Sequence, residues 1–143
     1  MTDKLIYMYK FAEDNNISIS NYNFNNNKKS MCMNYDNNFH IAIDYNRIKT
    51  KSEEVCILAE EIAHYNVGII PTNPSSNSYF NKLVRYRNEY RATKRAVESL
   101  LDPEVLKSVI DSGYITNTYE LADMFNVTPE FMENALYVFG FSN

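Results

Sequence analysis

Cysteine and histidine are scarce in this 143-residue chain, at two each, and tryptophan is missing altogether. Cys32 and Cys56 follow no C-x-x-C spacing, which excludes the paired-thiol zinc and redox motifs and leaves both thiols expected in the reduced form. No apolar run approaches the roughly 20 residues that span a bilayer. The opening Met1-Thr2-Asp3-Lys4-Leu5 lacks the basic stretch and apolar core of a secretory signal. A cytoplasmic protein with no membrane partner is therefore expected. Positive charge is not in excess either: a net charge of -4 argues against broad affinity for nucleic acid or anionic lipid.

What is present describes a soluble globular chain, with 45% hydrophobic and 22% charged residues. A chain of this length buries roughly 70% of its unfolded surface in one compact domain. The 12 tyrosines, 8 phenylalanines and the asparagines crowded between Asn15 and Asn38 read as coding bias that fills loops, not as a recognition surface.

Periodicity divides the domain, residues 1–143, into a sheet-and-helix part (1–70) and a helical part (71–143). Leu5, Met8, Tyr9 and Ala12 mark an amphipathic helix over about Lys4 to Asp14. Short alternating stretches at Ile17-Ser18-Ile19, Met31-Cys32-Met33 and Phe39 to Asp44 predict three strands, with Asn23 to Ser30 as their loop. Thr50-Lys51-Ser52-Glu53 fits a capping box and starts a helix that is apolar nearly all round through Tyr65. Gly68 and Pro71 end it, and Pro71 to Ser78 reads as a loop. A third helix is expected from Tyr79 to Leu101 and a fourth from Asp102-Pro103 to Gly113. Two short helices, Thr118 to Phe125 and Pro129 to Val138, close the chain. The fold class expected is α+β.

The chemistry concentrates in Glu60-Glu61-Ile62-Ala63-His64, one residue away from the zinc-protease signature H-E-x-x-H. Helical spacing gathers Glu60, Glu61 and His64 on one arc of a helix that is otherwise apolar. A carboxylate there costs several kcal/mol unless paired, protonated or metal-bound. On the third helix, Glu89 shares a face with Tyr86, Tyr90, Thr93, Val97 and Leu100, which spacing places inward. The remaining positions Lys82, Arg85, Arg87, Arg91, Lys94 and Arg95 form a basic face, read as solvated or as a dock for an acidic partner. His40 alternates with Phe39 and Ile41 on its strand; it is a strand histidine or, alternatively, a replacement ligand. Cys56 reads as a buried structural thiol, one turn too far to be a ligand.

Leu58 to Tyr65, followed by Asn88-Glu89-Tyr90-Arg91-Ala92, resembles the ImmA/IrrE family of metallopeptidases. Ile41-Ala42-Ile43-Asp44 and the segment Tyr119 to Phe131 resemble its short forms on mobile elements and prophages. The resemblance implies a small zincin-like fold of the minigluzincin type: a short β-sheet packed on a central motif helix, with a helical C-terminal half. It implies Glu61 as general base and His64 and Glu89 as metal ligands, with Glu60 standing where the first ligand belongs. The cofactor implied is zinc, or another divalent transition metal since a Glu/His/Glu set is harder than a His-rich one. A metal-free cluster that keeps its proton beside His64 stands as the alternative. The partner implied is a protein, a helix-turn-helix repressor that is cleaved or, in a catalytically silent member of the fold, bound.

The segment Glu120 to Phe131 itself has the outline of a helix-turn-helix. From Pro103 onward, however, Glu104, Asp111, Glu120, Asp123, Glu130 and Glu133 stand against a single Lys107. Phosphate would be repelled, so nucleic acid is not expected as a partner.

Overall fold

The computed structural model describes residues 2–68 and 79–141, with side chains at 3–68 and 83–141. The loop expected over Pro71 to Ser78, the stop at Pro71 and the side chain of Lys82 lie outside them. Among the described residues the order is α1 (Thr2–Asp14), β1 (Ser18–Asn21), β2 (Ser30–Tyr35), β3 (Asn38–Ile43), a 3-10 turn (Tyr45–Arg47), α2 (Lys51–Val67), α3 (Tyr79–Leu100), α4 (Pro103–Ser112), α5 (Thr118–Phe125) and α6 (Pro129–Phe139). The class is α+β, with a three-stranded mixed sheet in the order β1-β3-β2. No helix among the described residues is long and apolar enough to cross a membrane.

Central strand β3 runs parallel to β1 and antiparallel to β2. Its alternation is strict: Phe39, Ile41 and Ile43 are buried, while Asn38, His40 and Ala42 point to the other face. The β2–β3 hairpin turns at Asp36 and Asn37, both with positive φ (53° and 63°), which aspartate and asparagine tolerate and which matches the twist of a two-residue hairpin. The loop from β1 to β2 is fastened from below. Asp44 accepts the Phe24 N–H and pairs with Arg47 at 3.2 Å, and the Arg47 guanidinium donates to the carbonyls of Phe24, Asn26 and Lys28.

Helix α2 starts where the capping box predicts, with the Thr50 hydroxyl accepting the Glu53 N–H at 3.1 Å. It ends at Gly68, whose left-handed φ of 64° lets its N–H return to the carbonyls of the last turn. Val55, Cys56, Ile57, Leu58, Ala59, Ile62 and Ala63 are buried along it. At roughly 1.5–3 kcal/mol for each large aliphatic side chain removed from water, this helix is the main anchor of the core. The inner face of the sheet packs on one side of it, α1 on another, and α3 on a third. Leu106, Leu121, Phe131 and Met132 extend the same core into α4, α5 and α6. The expected caps at Asp102 and Gly113 are present, and Asn126 closes α5 in the left-handed conformation.

Candidate metal centre

Two helices and the sheet meet around His64. Its Nε2 lies 3.9 Å from Glu61 Oε1 on the same helix and 4.0 Å from Glu89 Oε2 on α3. Both distances exceed a direct hydrogen bond, so neither carboxylate is hydrogen-bonded to the ring. Glu61 is only 7% exposed, and its Oε2 is fully buried with no hydrogen-bond partner. A buried carboxylate oxygen left without a partner costs free energy of the order of 1–3 kcal/mol, more if it is charged. Glu89 approaches His64 from the solvent side, with its side chain 68% exposed.

The electrostatics follow from this burial. Desolvation pushes Glu61 up to about 7, and the negative charges of Glu60 and Glu89 add to it while Lys28 opposes. Glu60 is also pushed up to about 7, by desolvation first and then by Glu130 and Glu89. Its side chain is exposed, however, and water tempers the effect there. Burial pushes His64 down, against an upward pull from Glu89. Near neutral pH the centre therefore holds a neutral imidazole, the form that binds metals, beside a carboxyl that exchanges its proton in the range a general base needs.

The structure thus gathers Glu61, His64 and Glu89. Glu60 sits on the neighbouring, exposed side of α2, within electrostatic range of Glu130 on α6 and of Glu89. The helical arc that joins Glu60 to Glu61 and His64 spans the boundary of the buried face, and Glu60 falls on its wet side. Tyr86, Glu89 and Tyr90 are a correction: all three are exposed, Tyr86 at 67%, where the spacing predicts them inward. Among the described residues the buried stripe of α3 consists of Ala92, Ala96, Val97 and Leu100, all in its C-terminal half. Arg87, Arg91, Lys94 and Arg95 are exposed as expected.

His40 lies on the outer face of β3 and points away from α2, which removes it from this centre. Cys56 is buried, its thiol pushed up to about 11 by desolvation and in contact with Thr128 at the start of α6, a packing role. Cys32 escaped the sequence reading. Paired with fully buried Ile41, it lies on the inner face of β2, toward α2. Its thiol is pushed up to about 12 by burial, and then by the charges of Glu61 and Glu89. Alternation in Met31-Cys32-Met33 reveals a strand but not which face is inner, since that depends on the register with β3.

Compared with protein-family models, curated proteins and solved structures, the chain matches none. The donors themselves must then indicate what the centre can hold. Among the described residues, no three His, Cys, Asp or Glu side chains form a ready-made metal-binding group. An imidazole and a carboxylate from different helices nevertheless lie beside Glu61, whose second oxygen is a buried orphan, and that donor set suits a divalent transition metal. Glu60 does not fit in its present orientation and would have to turn inward to join them.

Proposed function

We propose that this chain is a metallopeptidase-like protein in which His64 and Glu89 hold a divalent metal, with Glu60 in the first ligand position and Glu61 as general base. The observation that carries this reading is the approach of Glu61 and Glu89, from two different helices, to the same His64 Nε2, with the second carboxylate oxygen of Glu61 buried and partnerless. A packed ion pair would satisfy that oxygen; a site built to receive a ligand leaves it open. The three-stranded sheet on α2, and the second helix bearing Glu89, support a zincin-like fold of the minigluzincin type. When bound, the metal would polarise a scissile carbonyl and acidify a water molecule.

The protein's own groups have distinct tasks in this account. Glu61 takes up a proton from the nucleophile and can return it to the leaving amine, since its pKa near 7 makes both directions accessible. His64 stays neutral and fixed by the packing of α2. Glu89 closes the centre from the solvent side, where substrate must enter. The resemblance to the ImmA/IrrE metallopeptidases makes a helix-turn-helix repressor of a mobile element or prophage the substrate class.

A second reading is favoured by the exposure of Glu60: a catalytically silent protein of the same fold that regulates a repressor by binding it. Metal analysis of protein purified without chelators separates the two. The first reading predicts about one equivalent of transition metal, lost in Glu89→Ala. Metal-free protein whose melting is indifferent to chelators would favour the second.

A further inference from the structure

The sheet has a second face, and no helix among the described residues is packed against it. Fully buried Ile41 pairs with Cys32, which directs Cys32 inward and its neighbours Met31 and Met33 outward. On β3, His40 points outward and lies directly opposite Met33, while Met31 lies opposite Ala42. Met31, Met33 and His40 line one surface cavity of about 540 Å³.

We propose that this outer face is a binding site for a soft monovalent metal ion, copper(I), held by the thioethers of Met31 and Met33 and the imidazole of His40. Cross-strand partners such as Met33 and His40 have Cβ atoms about 4.5–5.5 Å apart, and Met31 occupies the diagonal position, still within reach of a long side chain. The methyl of Ala42 opposite Met31 leaves room for that thioether to lean toward His40. Methionine's three rotatable bonds let both sulfurs converge without backbone movement.

The composition of the cavity determines which ion it takes. Among the described residues its lining contains no carboxylate, no thiol and no lysine or arginine. Two neutral sulfurs and one neutral nitrogen are soft donors, which select copper(I) over zinc, magnesium or calcium. With no anionic ligand, a divalent ion would keep its full charge in a partly dehydrated site, and that cost rises with the square of the charge. The rings of Tyr22, Phe24 and Tyr35 also line the cavity and favour a cation over their faces. Met33 is 48% exposed, so an ion reaches it without any rearrangement of the fold.

This site is independent of the centre on α2, and so is its test. The protein carrying ¹³C-methyl methionine is titrated with silver(I), a redox-inert stand-in for copper(I), in chloride-free nitrate buffer. One equivalent should shift the methyl resonances of Met31 and Met33 and the ring protons of His40 together. The other methionines should stay in place, and zinc(II) at the same concentration should have no effect. Met33→Leu and His40→Asn should each weaken binding at least tenfold. In Cys32→Ala/Cys56→Ala the same shifts should persist. The proposal is overturned if silver binding leaves the Met31 and Met33 methyls unmoved, if it vanishes with the thiols, or if zinc produces the same shifts. Wild-type spectra decide the first and third points even where the double variant does not fold.

Discussion

Replacing Glu61 with glutamine should change how the stability of the metal-free protein depends on pH. Folding raises the Glu61 carboxyl from 4.5 to about 7, so the folded protein binds this proton more tightly than the unfolded chain. Its stabilising contribution is complete below pH 4.5 and is lost as pH rises through 7. At 1.36 kcal/mol per pH unit of displacement, the loss across that window is about 3 kcal/mol. Glu61→Gln abolishes this dependence because an amide does not titrate. The amide imposes its own cost of about 1–3 kcal/mol for a buried group lacking a partner, but equally at every pH. The decisive quantity is therefore the wild-type stability minus that of Glu61→Gln, which should fall by about 3 kcal/mol between pH 4 and pH 8. In thermal melts with chelator present, this is a relative change on the order of 10 °C. Paired surface carboxylates cancel in the difference. Parallel pH profiles for the two proteins would refute the reasoning, since they would mean that Glu61 is solvated in the folded state.

Other expectations follow from the same framework. Thr50→Ala removes the acceptor for the Glu53 N–H at the start of α2 and should cost about 1 kcal/mol of stability, measured by urea denaturation. The acidic face of α4 to α6 should give no salt-dependent retention on DNA at low ionic strength; binding that weakens steeply with added salt would contradict this.

Local chemistry made much of the fold legible. The Thr50 and Asp102 caps, the Gly68 and Gly113 stops and the alternation of β3 are short-range signals, and each element lies within a few residues of where those signals place it. What remained hidden depends on contacts between elements. Tyr86 and Tyr90 share a helical face with Val97, but among the described residues the buried positions of α3 begin at Ala92, and no periodicity reveals where a helix leaves the core. Cys32 was invisible as a neighbour of Glu61 because the register of β2 against β3 decides its face. Glu60 and Glu61 adjoin in sequence but fall on opposite sides of the water boundary, a distinction of one helical step.

The central claim, that α2 and α3 frame a metal site short of one good ligand, is tested most directly by zinc titration of Glu60→His beside the wild type. An imidazole in that position supplies the softer, neutral donor and completes a set with His64 and Glu89. Calorimetry should show one equivalent of zinc bound at least tenfold more tightly than by the wild type, with the gain abolished in Glu60→His/Glu89→Ala. Equal zinc affinity in the two proteins, or a gain that survives loss of Glu89, would contradict the account.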